Sequence, residues 1–427
     1  MSIVISGWGL VAAAGCGAAA AQRAFGGDQP AGGEEAGPRL PLREVDRSAG
    51  YHRPRGARFA ALVDETAYLP WLPARVARRM SPPSRFSVVA ARIAMERAGL
   101  ASEAAPESPA VDLSVVISTS YGPSSYTEEL LRQIFHDSPM AASPFLFTEA
   151  VANAPAAQIA LALKAYGPNL TITQREAGPL FALDHGKLDL ENGRAERAMI
   201  ASVDEMNPLL HAGLDRYGAL AGSRGGRHGD AELELARPFD RRRCGFLAAE
   251  GSTALLLEQE AAVLSRGVRP VGRVHAFAAA FDPTGEVASY GREPEETGRA
   301  LARELERQGE GLGEVGAVVA SASGSRQGDA YEARLLRAAF GAAPLPAILA
   351  PKAYAGFHGG ALTAFACWLL DGGRPAPTPG FREMDPALGI VPYAGGPLPA
   401  RLKVLVSAPA VGGGSAFQLL EAWGEGS

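Results

Sequence analysis

Short apolar runs alternate with helix-patterned segments along most of the 427-residue chain. In the first half, the apolar run at residues 113–117 is typical of a buried strand, and the apolar spacing at residues 84–99 is typical of a helix with one buried face. The second half repeats the theme, for example with a strand-like run at residues 315–321. This alternation predicts an α/β fold, and its repetition predicts two similar α/β halves, residues 1–258 and 259–427.

The predicted elements cover most of the chain. Strands are predicted at residues 3–6, 113–117, 170–173, 198–203, 251–258, 271–277, 315–321, 347–350, 403–407 and 415–421. Helices are predicted at residues 84–99, 128–135, 153–165, 179–190, 294–307, 329–340 and 360–370. In the helix at residues 84–99, Ser84 is the predicted N-cap and Gly99 the predicted end. Residues 25–60 and 222–229 are rich in glycine and polar residues without periodicity, which predicts surface loops.

The composition is that of an ordinary globular protein, with 47% hydrophobic and 20% charged residues. A formal net charge of −5 provides no electrostatic footprint for nucleic acid. The three cysteines, Cys16, Cys244 and Cys367, are too few and too scattered for a disulfide framework or a zinc site, which fits a reducing compartment. Neither a secretory signal nor a run of about 18 apolar residues is recognisable. A cytoplasmic location is therefore predicted.

Five short blocks follow one another along the chain. They are Gly7-Trp8-Gly9, read as a glycine-rich turn; Ser143-Pro144-Phe145 followed by Asn153-Ala154-Pro155-Ala156; Arg237-Pro238-Phe239-Asp240 with Gly245-Phe246 and Glu250-Gly251; Lys352 with Gly356 and Gly360-Ala361; and Val411-Gly412-Gly413-Gly414-Ser415. In this order and spacing the blocks resemble the β-ketoacyl synthase family of condensing enzymes. The resemblance implies a thiolase-like fold, in which the two similar α/β halves form a five-layer αβαβα core. It implies no metal or nucleotide, because the phosphopantetheine arm belongs to an acyl carrier protein partner.

Residues 167–178 (Gly-Pro-Asn-Leu-Thr-Ile-Thr-Gln-Arg-Glu-Ala-Gly) resemble the segment that carries the family's nucleophile. In the family, a strand runs into a sharp turn and presents a cysteine at the start of a helix, whose free N–H groups lower the pKa of the thiol. The matching residue here is Glu176. A carboxylate is a poor acyl carrier, because the mixed anhydride that it would form is easily lost to water. The resemblance therefore predicts a condensing-enzyme scaffold without its nucleophile.

The family also uses two histidines to stabilise the enolate that forms when a malonyl group loses carbon dioxide. At the first histidine position this chain carries Ser323, or Ser321 if the alignment is fixed on Gly328-Asp329. At the second it carries Phe357, with His358 next to it. Only the family's lysine is retained, as Lys352. No intact catalytic set is therefore predicted.

Several roles stay open for these residues. Glu176 could act as a general base with a raised pKa, or it could cap a helix N-terminus or pair with Arg175. Lys352 could hold a structural ion pair, with Glu176 as a candidate partner. Phe357 is predicted to fill the space of the missing imidazole. Val411 stands where active members carry a gating phenylalanine, and its smaller size fits a pocket that no longer gates.

The loss of all three catalytic positions resembles the chain-length factors, the second subunits of type II polyketide synthases. In these proteins a helix crosses the subunit interface and closes the end of the partner's acyl tunnel. The matching helix here lies near residues 121–134, with Pro123, Tyr126 and Leu130 on one face. The alternative for these three residues is ordinary core packing.

The resemblance thus implies a non-catalytic, chain-length-factor-like subunit of a heterodimeric β-ketoacyl synthase that makes an aromatic or polyene (for example aryl polyene) product. Its partners would be an active ketosynthase subunit and an acyl carrier protein, and it would help to set product length during malonyl-based elongation. Two alternatives remain. One is an independent malonyl-carrier-protein decarboxylase or acyltransferase that uses Glu176; the other is a homodimeric pseudoenzyme that binds acyl groups.

Overall fold

The computed structural model describes residues 2–27, 41–100, 111–223 and 234–424. Most of the predicted loop at residues 222–229, and part of the predicted excursion at residues 25–60, lie outside the described residues. The described part of that excursion carries two short strands.

The strands and helices follow the predicted alternation. The strands are β1 (Ile3–Ala12), β2 (Gly15–Cys16), β3 (Arg43–Glu44), β4 (Phe59–Ala61), β5 (Leu113–Ser118), β6 (Asn169–Ile172), β7 (Arg197–Asp204), β8 (Ala248–Ala249), β9 (Gly251–Gln259), β10 (Gly272–Phe281), β11 (Ala317–Ala320), β12 (Ala347–Leu349), β13 (Lys403–Pro409) and β14 (Gly414–Ala422). The α-helices are α1 (Gly17–Phe25), α2 (Glu65–Tyr68), α3 (Ala74–Ala77), α4 (Pro82–Arg97), α5 (Ser124–Arg132), α6 (Pro144–Ala150), α7 (Ala154–Leu163), α8 (Gly178–Glu191), α9 (Pro208–Arg216), α10 (Glu260–Ser265), α11 (Pro294–Arg307), α12 (Arg326–Phe340), α13 (Lys352–Ala355) and α14 (Ala361–Leu370).

The main sheet runs in the order β12-β11-β13-β14-β10-β1-β9-β7-β5-β6, with β2 paired to β1. Its two halves meet where β1 pairs antiparallel with β10 through Val4 and Ile5. Strands β11, β12 and β13 are parallel in one half, as are β5, β6 and β7 in the other. Strands β3, β4 and β8 form a small second sheet in the order β3-β4-β8. The predicted pair of two similar α/β halves is confirmed.

Three layers of helices enclose the two halves of the sheet. Helices α8 and α14 contact strands of both halves and therefore lie between them. Helices α4 and α7 contact the first half from outside, and α11 and α12 contact the second half. Apolar side chains fill the spaces between these layers; α14, for example, is buried along its whole length. This is the five-layer αβαβα arrangement implied by the resemblance.

The glycines near the N-terminus do not form the predicted turn. Gly7 and Gly9 lie inside β1, which continues to Ala12. A Cβ atom on Gly7 would lie 2.1 Å from the carbonyl oxygen of Ala94, and one on Gly9 would lie 2.1 Å from the carbonyl oxygen of Ala90. Both carbonyls belong to α4, so the glycines allow this helix to pack directly on the strand. Their role is close packing, which the glycine pattern alone does not distinguish from a turn.

The start of α4 also differs from the prediction. The helix begins at Pro82 with Ser81 at its N-cap, whereas Ser84 lies inside the first turn. The buried carboxylate of Glu149 accepts hydrogen bonds from the N–H of Ser81 and the hydroxyl of Ser84, both at 2.8 Å. A distant acidic residue therefore satisfies this helix start, and Pro82 provides a helical φ from the first position.

Among the described residues, no single helix has both the length and the apolarity to cross a membrane. Helices α6 and α7 reach that threshold only as a pair, which is bent by 94°.

Candidate functional site

The segment that carries Glu176 forms a sharp turn between β6 and α8. Arg175 has a φ of 47°, a left-handed conformation that is uncommon for a residue with a side chain. The turn closes tightly because Gly178 lies against β5, where a Cβ atom would meet the hydroxyl oxygen of Ser118 at 2.3 Å. Glu176 is thereby buried, with 8% of its surface exposed. The predicted strand–turn–helix geometry of a nucleophile position is present without the nucleophile.

Both carboxylate oxygens of Glu176 have a hydrogen-bond donor. The hydroxyl of Tyr290 donates to Oε1 and the backbone N–H of Val411 donates to Oε2, each at 3.3 Å. These distances are at the long end of the hydrogen-bond range. Neither the cap nor the Arg175 pair proposed from the sequence is formed: the N-cap of α8 is Ala177, and Glu176 bonds to groups from the second half of the chain.

Lys352 contacts a serine and an aromatic ring. Its Nζ donates to the hydroxyl of Ser321 at 2.8 Å and lies 4.3 Å from the centroid of the Phe357 ring. Phe357 in turn stacks on Phe246, with 4.3 Å between ring centroids. Phe357 is therefore packed between Lys352 and Phe246, and Lys352 bonds to Ser321 instead of pairing directly with Glu176.

The structure distinguishes the two candidate serines. Ser321 is the residue beside Lys352, as in the register fixed on Gly328-Asp329. Ser323 lies two residues further along, and its backbone N–H donates to Oδ1 of the buried Asp329 at 3.0 Å. Ser323 therefore belongs to the loop that Asp329 organises.

A cluster of buried carboxylates surrounds Lys352. Glu332 accepts hydrogen bonds from the N–H of Ser321 and the hydroxyl of Ser407, yet burial raises its pKa to about 7. Burial also raises the pKa of Asp329 to about 6. Burial lowers the pKa of Lys352, while the negative charges of Glu176, Glu332 and Asp329 oppose this shift. The net effect on the pKa of Lys352 is a lowering, because burial outweighs the attraction of these carboxylates.

His358, the neighbour of Phe357, is 1% exposed. Its two ring nitrogens have no hydrogen-bond partner among the described residues. Burial, with a smaller contribution from the charge of Lys352, lowers its pKa to about 4, so the imidazole is neutral at pH 7. The following residue, Gly359, fixes the loop by donating its N–H to Asp204 at 2.8 Å. His358 lies beside the site but makes no polar contact with Glu176 or Lys352.

Little space remains between these groups. The cavity has a volume of about 10 Å³ and is lined by Ser120, Glu176, Lys352, Phe357, His358, Gly359 and Leu362. This is about the space that a single water molecule needs, so an acyl group does not fit. A larger groove of about 550 Å³ runs along β10 and α11, but it shares none of these lining residues. No cluster of three or more metal-ligating side chains occurs in the described part of the chain.

The three residues predicted to line a tunnel lie on or next to α5. Pro123 is the buried N-cap residue of that helix, and Leu130 is 9% exposed. Tyr126 is half-buried, and its hydroxyl donates to the carbonyl oxygen of Met80 at 3.2 Å. Helix α5 starts at Ser124, earlier than predicted, because the buried carboxylate of Glu205 accepts hydrogen bonds from its first turn.

Sequence reasoning did not find Tyr290, Glu332 or the role of Asp329. Tyr290 comes from an irregular loop with no periodic pattern, so nothing local signals its contact with Glu176. The sequence pattern predicted a helix that contains Asp329 and Glu332 but indicated no further role for either carboxylate. The Gly-Asp pair at residues 328–329 was a usable signal, because it gives the register in which Ser321 meets Lys352.

Comparison with known proteins identifies the family. The sequence profile of the β-ketoacyl synthase N-terminal domain matches residues 37–262, and that of the C-terminal domain matches residues 271–369. The chain therefore belongs to the β-ketoacyl synthase family and has its thiolase-like fold. Members of this family use no cofactor of their own, since the phosphopantetheine arm is carried by the acyl carrier protein.

Similar proteins include 3-oxoacyl-(acyl-carrier-protein) synthases and polyketide β-ketoacyl synthases. The actinorhodin polyketide putative β-ketoacyl synthase 2 of Streptomyces coelicolor is 28% identical over 347 residues, covering 78% of this chain and 80% of the relative. The 3-oxoacyl-(acyl-carrier-protein) synthase 2 of Synechocystis sp. is 31% identical, but the match spans only 53% of each protein. Among solved structures, the ishigamide ketosynthase/chain length factor has a TM-score of 0.80 and 25% identity, with 99% of each chain covered.

Proposed function

We propose that this chain is the non-catalytic, chain-length-factor-like subunit of a heterodimeric type II polyketide β-ketoacyl synthase. The observation that carries the proposal is the set of residues at the candidate site around Glu176. We assign Glu176, Ser323 (or Ser321, which contacts Lys352) and Phe357 to the positions where the family's chemistry needs a cysteine and two histidines, and the cavity beside Glu176 has a volume of about 10 Å³. An active ketosynthase partner would supply the Cys-His-His set, and this chain would complete the assembly.

An exposed surface supports a partner subunit. Strand β6 lies at the end of the sheet order, so one of its edges has no partner strand within the described residues. Helices α5, α6 and α7 and the irregular turns between them contact one another near this edge. They carry exposed apolar side chains, which we call the apolar face: Leu131, Phe135, Met140, Phe145, Phe147, Val151, Leu161 and Tyr166. Surfaces of this kind mark protein–protein interfaces, and we assign this one to the ketosynthase partner.

A basic segment supports an acidic second partner. Arg75, Arg78 and Arg79 are exposed on and just after α3, and none of them forms an ion pair with a described residue. Three exposed arginines on one short segment complement an acidic protein surface. The acyl carrier protein is the partner that we assign to this segment.

The proposed tunnel role falls to α5. This helix carries Tyr126 and Leu130 on its inner side and Leu131 on the apolar face, so it connects the interior of this chain with the partner surface. Pro123, at its start, and Val411, above Glu176, complete the set of residues that we propose shape the acyl path. Side-chain size at these positions would set product length.

The test is reconstitution. The chain is co-expressed with a ketosynthase from the same gene neighbourhood, the complex is weighed by native mass spectrometry, and elongation is measured with malonyl-loaded acyl carrier protein. We expect a one-to-one complex that elongates, and no elongation by this chain alone. A chain that does not bind the ketosynthase and stays homodimeric would instead support the alternative of an acyl-binding pseudoenzyme.

The decarboxylase or acyltransferase alternative depends on Glu176. The two donors on its carboxylate and the lack of nearby space argue against such a role. The deciding measurement is carbon dioxide release from malonyl carrier protein by the purified chain. Release that disappears in Glu176→Gln would overturn the scaffold function.

A further inference from the structure

Residues 282–293, which we call the plug loop, connect β10 to α11 and are held firmly at their base. The carboxylate of Asp282 accepts hydrogen bonds from both the N–H and the hydroxyl of Thr284 and from the N–H of Glu293. Gly291 has a φ of +107°, and a Cβ atom there would lie 2.2 Å from Asp282 Oδ2. Asp282 thus closes the loop into a fixed ring, and glycine is required where the chain passes it.

The far side of the plug loop is bound to the glycine-rich turn that follows β13. The N–H of Gly412 donates to the carbonyl oxygen of Ser289, and the N–H of Asp282 donates to the carbonyl oxygen of Gly413, both at 2.8 Å. The same turn contributes the Val411 N–H that contacts Glu176. The plug loop and the turn therefore form one unit, and this unit contacts Glu176.

Tyr290 is the side chain of this unit that reaches Glu176. Its ring packs over Gly328, where a Cβ atom would lie 2.9 Å from the ring and its hydroxyl, and its centroid lies 6.0 Å from that of Tyr331. Its hydroxyl ends against Glu176 Oε1. Burial raises the pKa of this hydroxyl well above its usual value, so it remains a hydrogen-bond donor at neutral and moderately alkaline pH.

We propose that Tyr290 closes this subunit's own acyl site, so that a pantetheine-borne chain cannot reach residue 176. The closure itself follows from the contacts of Tyr290 with Gly328, Tyr331 and Glu176. Its consequence, that acyl chains enter the synthase only through the partner, rests on the proposed function. Tyr290 is in this sense a specificity-determining residue that acts by exclusion.

The experiment places a reporter at the bottom of the site. Glu176→Cys restores a thiol there, and its alkylation by chloroacetyl-pantetheine is followed over time. Peptide mass spectrometry separates residue 176 from the three native cysteines. We expect slow alkylation in Glu176→Cys and a rate higher by about tenfold or more in Glu176→Cys/Tyr290→Ala, because the first variant must open the plug loop before it reacts. Equal rates in the two variants would overturn the proposal.

Two further measurements show whether the ring itself is responsible. Glu176→Cys/Tyr290→Phe keeps the ring and loses only the hydroxyl, so it should stay as slow as the single variant. Added 4-methylphenol, which matches the missing side chain, should slow the Tyr290→Ala form again; a failure of both results would contradict closure by the ring. If Tyr290→Ala does not fold by circular dichroism, Tyr290→Leu replaces it as the shortened side chain.

The outcome is independent of complex formation, because alkylation is read on the full chain without its partner. A chain that protects residue 176 but binds no ketosynthase would keep the closure and reject the heterodimer. A chain that binds the ketosynthase but leaves residue 176 freely reactive would do the reverse.

Discussion

The hydroxyl of Tyr290 lies 3.3 Å from a carboxylate oxygen of Glu176, although 114 residues separate them in the chain. The contact joins the two α/β halves of the chain. It means that Glu176 is integrated into the packing of this subunit. This contact is the basis of our proposal that Tyr290 keeps acyl chains away from residue 176.

Tyr290→Phe should destabilise the protein by about 1 kcal/mol, because one oxygen of the buried Glu176 loses its donor while the ring still packs. The measurement is the free energy of unfolding from urea titration monitored by circular dichroism. Tyr217→Phe is the matched control, since Tyr217 is 82% exposed. Equal stabilities of the two variants would show that the long Tyr290–Glu176 hydrogen bond contributes nothing.

Gly9→Ala should be severely destabilising, by about 3 kcal/mol or more, because the new methyl group would overlap the Ala90 carbonyl of α4 and push the helix off the strand. Gly311→Ala is the control, because a Cβ atom at Gly311 meets nothing within 4 Å. Thermal unfolding of both variants distinguishes a packing role for Gly9 from the turn that the sequence pattern indicated. A Gly9→Ala protein as stable as Gly311→Ala would contradict the close packing.

His358→Leu should change the pH dependence of stability. The buried imidazole has a pKa of about 4, against about 6.5 in an unfolded chain, so the unfolded state binds more protons between these values. The contribution of His358 to stability is therefore full above about pH 6.5 and is lost as the pH falls towards 4. Relative to wild type, the variant should gain about 2 kcal/mol between about pH 7.5 and about pH 5.

Urea unfolding at the two pH values provides that measurement, and His136→Gln is its control because His136 is exposed. The comparison with wild type is essential, since Glu332 and Asp329 titrate in the same range with raised pKa values and work in the opposite direction. A pH-independent difference between His358→Leu and wild type would mean that the imidazole is not held neutral.

The elements were largely predictable where a local pattern determines them. Helix α11 has the predicted bounds, Pro294–Arg307, because a proline starts it and its apolar residues share one face. Features that depend on distant residues were not predictable. The start of α4 is hydrogen-bonded to Glu149, which belongs to another helix. Ser321 is hydrogen-bonded to Lys352, which is distant in the sequence. The sequence alone led to the hypothesis that the catalytic residues are missing, whereas the contact of Tyr290 with Glu176 could not be predicted, because Tyr290 lies in an aperiodic loop.

Phe135→Asp should weaken binding of the ketosynthase partner without unfolding the chain, because Phe135 is 79% exposed on the apolar face. A charge buried at the centre of an apolar interface should reduce the binding free energy by about 2 kcal/mol or more. Isothermal titration calorimetry or native mass spectrometry of the co-purified pair measures the effect. Leu264→Asp provides the control, since Leu264 is an exposed leucine on α10, outside the apolar face. Equal binding of the partner by both variants would mean that the interface lies outside the apolar face.

Tyr126→Ala should lengthen the products of the reconstituted synthase. Tyr126 is a bulky side chain on the inner side of α5, with its ring 6.4 Å from that of Phe145 and its hydroxyl on the Met80 carbonyl. Its truncation opens space next to the apolar face, where we place the end of the partner's acyl tunnel. Product lengths are read by liquid chromatography and mass spectrometry, with Tyr217→Ala as the exposed control. If the complex stays intact and the distribution of product lengths is unchanged, the role of Tyr126 is core packing alone. The reason is that truncating a residue that bounds the tunnel must shift the end of the tunnel.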